Sequence, residues 1–210
     1  MDKDSNRMDE LREDVLREIA NIGSGNAATA MSALLNKPIE QSVPNVRLVP
    51  LAEIPDMLGG AEKVVVAGML QLTGDFSGYL LMVLDFDQAE KIISMVLGEP
   101  GSRSKKMSLH RFSELDQSVL CEMVNIMGGS YLTAVAEFLK LRVSPSIPYL
   151  CVDMVGAVIS VAVAETGKTG DFAILFQSEL FNERERIIGS LFLVPNEKSC
   201  NTILESLGFL

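Results

Sequence analysis

The stretch DVLREIANIGSGNAATAMSALLNKPIEQSVP, residues 14–44, recurs 104 residues later as SVLCEMVNIMGGSYLTAVAEFLKLRVSPSIP, residues 118–148. Eleven of the 31 aligned positions are identical, among them Val15/Val119, Glu18/Glu122, Asn21/Asn125, Gly25/Gly129 and Pro44/Pro148. Average residue usage gives about two identities by chance, so duplication is the economical explanation. Such self-similarity reorganises the reading of everything around it. It predicts two repeats, 8–98 and 113–208, forming a single domain over 1–210 and joined by the Gly/Pro/Ser-rich, basic segment 99–112.

Working outward, each repeat offers the same order of elements. Apolar residues at helical spacing, Leu11, Val15, Ile19 and Ile22, predict a long helix over 8–36; Leu115, Val119, Met123 and Ile126 repeat it over 113–140. Ser113 or Asp116 can cap the second helix, and Asp9 or Asn6 the first. A strand around a proline follows each helix, at 40–50 and 143–152, and a proline belongs on an edge because it cannot donate to a ladder. A short helix or turn is expected at 51–60. Its counterpart, 153–167, reads as a helix from the repeat register, with Asp153 as a candidate N-cap. Hairpins follow at 62–72 with 76–85, turning at Thr73-Gly74-Asp75, and at 171–180 with 186–195. Each repeat closes with a helix, 86–98 and 196–208, stopped by a glycine. The expected fold is α/β of the α+β kind: duplicated halves about a pseudo-two-fold, a six-stranded sheet, and two long helices on one face.

Composition narrows the function. The 210 residues are 48% hydrophobic and 22% charged, enough for a substantial core. No apolar run reaches the length needed to span a bilayer, and the acidic start MDKDSNRMDELRED is unlike a signal peptide, so a cytoplasmic protein without membrane insertion is expected. The formal charge of −10 opposes binding to nucleic acid, whose phosphates are bound by Lys and Arg. Cys121, Cys151 and Cys200 are scattered and form neither a disulfide framework nor a metal set. The single histidine, His110, sits in the linker with no visible nucleophile, which leaves a Ser-His or Cys-His mechanism without support.

The informative residues are polar ones that the repeat retains without a packing reason. Asp14, Glu18, Asn21 and Gly25 fall at i, i+4, i+7 and i+11, one stripe of a helix turned away from the apolar line; Ser118, Glu122, Asn125 and Gly129 repeat it. One Glu and one Asn on a helix are ordinarily a solvated surface. Two copies of the pattern change that reading. Each internal glycine costs roughly 1 kcal/mol relative to alanine. Either it admits a neighbouring helix or marks a local break, or Gly25 and Gly129 clear space where another protein brings its reactive group close.

With E-I-A-N-I-G-S-G-N and E-M-V-N-I-M-G-G-S on the page, the chain resembles the CheC/CheX/FliY family of chemotaxis phosphatases, and the resemblance covers both halves. Two intact sites without a FliN-like tail are expected of a CheC-type member. The resemblance implies a substrate, the aspartyl phosphate of the response regulator CheY. It also implies catalytic residues Glu18, Asn21, Glu122 and Asn125, with Asp14, Gly25, Ser118 and Gly129 shaping the approach of the substrate protein. In this reading the asparagines orient water, and the glutamates pair with a lysine of the regulator. No cofactor is expected on this chain; Mg²⁺ is expected on the regulator's own carboxylates. The deamidase CheD is a further implied partner, on the helix beginning near Asp153. The competing reading is a non-catalytic, flagellar-switch-like module that binds CheY or CheD.

Overall fold

The computed structural model describes residues 3–98, 112–166, 172–181 and 186–206. Two long helices, α1 (Lys3–Leu35) and α4 (Glu114–Leu139), lie against one another. Ser113 and Asp116 cap α4 reciprocally: Ser113 Oγ accepts from the Asp116 amide at 3.1 Å, and Asp116 Oδ2 accepts from the Ser113 amide at 2.9 Å. That box satisfies two of the amides a helix start leaves without partners.

The strands are β1 (Glu40–Gln41), β2 (Asn45–Pro50), β3 (Val64–Gly74), β4 (Gly78–Leu84), β5 (Val143–Pro145), β6 (Tyr149–Met154), β7 (Phe172–Phe181) and β8 (Arg186–Pro195). All pairings are antiparallel, and the sheet runs β1/β2, β7, β8, β4, β3, β5/β6. Among the described residues there are six positions across the sheet, as expected, but eight strand segments, because each edge strand is interrupted before its proline. The segments at the edges change partners. β1 and β2 pair with β7 from the other half of the chain, and β5 and β6 pair with β3. Each half therefore supplies the other's edge.

Both faces of the sheet are covered. Alternation along the strands sends Val66, Leu70, Leu80 and Met82 toward the long helices and Val65, Met69, Leu81 and Val83 to the opposite side. The first face also takes α3 (Phe86–Leu97) through Ala89 and Ile92, and α6 (Glu197–Ser206) through Ile203. The second face is covered by a 3-10 turn at Leu51–Glu53, by α2 (Ile54–Met57) and by α5 (Val155–Thr166), through Leu51, Ile54, Val158 and Ala162. Burial on both faces is why the central strands read as continuous apolar runs. α4 is long and apolar enough to cross a membrane by length and composition, yet its apolar side chains fill this core.

Three local expectations shift. The buried line of α1 passes through Leu16, Ile19, Ala20, Gly23 and Ala27, while Ile22 is 38% exposed and Leu115 of α4 is 59% exposed. The helices contact both each other and the sheet, so small residues occupy the seam and bulky Ile22 is turned out of it. The first hairpin turns at Asp75–Ser77, because β3 continues through Gly74. Asp153 does not cap α5: β6 runs to Met154, and the Asp153 carboxylate accepts the Met154 amide at 2.7 Å. The first amides of α5, from Val155 and Gly156, instead donate to the carbonyls of Lys63 and Ala61, each at 2.9 Å. Gly98 stops α3 with φ 76°, as expected. Residues 99–111, with His110, and the closing glycine Gly208 lie outside the described residues.

Candidate active site on two helix faces

Glu18, Asn21, Glu122 and Asn125 are all exposed on uninterrupted helix. In the second copy, Asn125 Nδ2 donates to Glu122 Oε2 at 3.5 Å across one helical turn, so the pair lies side by side on a single face. Asp14 of the first copy is engaged by Arg17 at 2.8 Å, and Ser118 of the second donates to the Glu114 carbonyl at 2.8 Å. The two stripes therefore share Glu, Asn and Gly but differ in how their first residue is held.

Each helix carries two glycines near its Asn, and they separate into two kinds. A Cβ on Gly23 would stand 2.7 Å from Tyr131 Cδ1, and one on Gly128 would stand 2.6 Å from Leu70 and 2.9 Å from Leu80. Those two glycines admit a helix or a strand. A Cβ on Gly25 would meet only Gln41 Nε2, at 3.7 Å, and one on Gly129 would meet nothing within 4 Å. No packing reason exists for the second kind, and it is the second kind that the repeat retains. Beyond Gly129 lies a groove of about 560 Å³, bordered by Leu132, Thr133, Arg142, Ser144 and Pro145.

Beneath the stripes, the buried Tyr131 hydroxyl meets Ser178 Oγ at 3.0 Å and also bonds Ser24, whose own Oγ donates to the Asn21 carbonyl at 3.2 Å. Burial pushes the Tyr131 hydroxyl above its ordinary value, and the bonds to Ser178 and Ser24 pull against that rise. This chain of hydroxyls ties the Asn21 turn of α1 to α4 and β7. Sequence reasoning missed Tyr131, Ser24 and Ser178, because none of the three is repeated in the other half. It also missed Arg17, although the i, i+3 spacing from Asp14 was visible.

Burial raises the thiol of Cys121, next to Glu122, away from the thiolate form a nucleophile needs. Cys151 is raised by burial and secondarily by the Asp153 charge. Among the described residues no group of three or more His, Cys, Asp or Glu side chains is placed to hold a metal ion. What the exposed pairs offer is a carboxylate and an amide side by side, able to form an ion pair, to accept a hydrogen bond from water and to donate one to a phosphoryl oxygen.

Comparison with known proteins yields two family matches: the CheC-like family over residues 11–47, and chemotaxis phosphatase CheX over residues 66–166. The chain is 35% identical over 205 residues to the CheY-P phosphatase CheC of Bacillus subtilis, covering 97% of each chain. Among solved structures it is similar to FliY from Thermotoga maritima, with TM-score 0.71, 20% identity, and 94% and 96% of the two chains covered. The FliM middle domain from H. pylori has TM-score 0.60 at 11% identity, covering 98% of this chain and 99% of that one. At those identities the two structural likenesses speak to the fold.

Proposed function

The chain belongs to the CheC-like family, and from that membership we propose that it is a phosphatase acting on CheY-P, the phosphorylated chemotaxis response regulator. The observation that carries the reading is the twice-repeated, exposed Glu-x-x-Asn pair followed one turn on by a glycine with open space above it. The flat helix face suits a protein substrate, whose phosphoryl group must be met rather than enclosed.

An acyl phosphate hydrolyses readily once a water is held in line, so the enzyme's task is mainly positioning. In this mechanism Asn21 and Asn125 hold the attacking water through the amide oxygen and direct an N–H toward a phosphoryl oxygen. Glu18 and Glu122 pair with a lysine of the regulator, fixing register and drawing that lysine from its own phosphate contact. The Asn125–Glu122 bond in the free protein keeps the two groups adjacent before the substrate arrives. Gly25 and Gly129 let the substrate backbone come close, with Asp14 and Ser118 at the opposite end of each stripe. Mg²⁺ would be held by the regulator's own carboxylates and not by this chain.

The rival, a binding module without turnover, shares this fold, so the fold does not separate the two. The intact Glu/Asn pairs favour the enzyme. The same reading makes the chain a single cytoplasmic unit of two descended repeats, 8–98 and 113–208, joined by 99–112. For CheD we propose the opposite face, where Tyr149 and Val161 are exposed around a cavity of about 550 Å³ that also includes Cys151 and Asp153. Phosphate release from CheY-P above the regulator's own rate is the expected result with the unmodified protein. Tight binding without accelerated release would select the module instead.

A further inference from the structure

Each edge of the sheet is broken by the same device. On one edge the Ser42 amide donates to the Glu179 carbonyl at 2.9 Å, and Ser42 Oγ accepts the Glu179 amide at 3.1 Å. On the other the Ser146 amide donates to Gln71 at 2.8 Å, and Ser146 Oγ accepts the Gln71 amide at 3.0 Å. In each case a serine hydroxyl takes the place of a ladder carbonyl, the next residue leaves the ladder, and a proline follows. The residue thrown out is Val43, 79% exposed, or Ile147, 87% exposed, the two most exposed large apolar residues among those described. They stand 104 positions apart and so occupy the same place in each repeat.

A single exposed valine needs no explanation. A proline and a break on an edge strand are a sufficient defence against edge-to-edge pairing, and that defence is better served by a charged residue. Neither consideration accounts for two β-branched apolar residues held out at equivalent positions. Their placement does. Val43 lies between β1 and β2, both packed on α1, and Ile147 lies between β5 and β6, both packed on α4. Gln41, two residues before Val43, is the side chain nearest Gly25; Pro145, two residues before Ile147, borders the groove beyond Gly129. Each catalytic stripe thus has one apolar knob on its own flank.

We propose that Val43 and Ile147 are docking contacts for the response regulator, one serving each Glu-x-x-Asn site. The proposal rests on the phosphatase reading above. The occupant is assigned by symmetry: the knobs repeat with the sites, so their partner is the one that each site receives. A second copy of this chain is disfavoured by the prolines and the broken ladder that the same device places on the edge.

The test pairs knobs with sites. In an Asn125→Ala background, where only the first site is intact, Val43→Ser is expected to raise KM for CheY-P about tenfold, with kcat held within about twofold and Ile147→Ser without effect. In an Asn21→Ala background the roles reverse. Because both residues are exposed, thermal midpoints of the serine variants should match their parents. Calorimetric binding of beryllofluoride-activated CheY to the full chain needs no turnover, so it should weaken in Val43→Ser/Ile147→Ser even if the catalytic assignment of the asparagines fails. Unchanged binding in that double variant overturns the docking role. Loss of a dimer by the double variant in sedimentation, with regulator binding intact, overturns it in favour of self-association.

Discussion

At the scale of the residue, the four glycines make the sharpest distinction between packing and function. Gly129→Ala adds a Cβ into open space and removes a flexible residue from a helix interior, so stability should stay level or rise by up to about 1 kcal/mol. Turnover through that site, measured in an Asn21→Ala background, should nevertheless fall. Gly23→Ala should do the reverse, costing about 1–3 kcal/mol in urea unfolding because Tyr131 must yield. Tyr131 itself carries a pH signature. Burial, opposed by bonds to Ser178 and Ser24, raises its hydroxyl above 10.0, so the unfolded chain releases this proton first. Its contribution is whole below pH about 10 and is lost as pH rises from there through the raised folded value. Tyr131→Phe should therefore lower stability at neutral pH by about 1–2 kcal/mol, leaving Ser178 short of its partner, and should flatten the alkaline decline of unfolding midpoints above pH about 10.

At the scale of the element, the long helices were largely legible and so was the cap of α4, whereas α1 already runs from Lys3, so Asn6 and Asp9 lie within it and do not cap it. Ser113 with Asp116 forms the expected box, and Ser113→Ala should cost about 1 kcal/mol by thermal melts. Prolines 44 and 148 correctly marked edge strands, and the repeat register correctly made 153–167 helical against its strand-like composition. The exposed stripe was readable because it has a period and a copy. The details that escaped depend on contacts between distant segments. Ile22 looked like core by periodicity and is turned out by the helix seam at Gly23 and Tyr131. Asp153 looked like a cap, but the Lys63 and Ala61 carbonyls already hold the amides it would have served. Nothing in the local sequence announces a carbonyl supplied from a segment as distant as that of Ala61 and Lys63.

At the scale of the whole molecule, the exchange of edge strands is the feature the repeat alone did not disclose. A duplication predicts two similar units, whereas pairing β2 with β7 and β6 with β3 makes each half incomplete without the other. Residues 1–98 expressed alone would leave β2 without its partner and one side of β3 open. Circular dichroism of that fragment should show a loss of cooperative unfolding, restored when it is coexpressed with 112–210. The same interlocking places both Glu-x-x-Asn faces, the two proposed positioning sites, on one continuous sheet. The most direct measurement is phosphate release from CheY-P by the Asn21→Ala/Asn125→Ala protein. The account predicts a rate no faster than the regulator's own dephosphorylation, with the melting temperature unchanged because both residues are exposed. Release at the wild-type rate would contradict it.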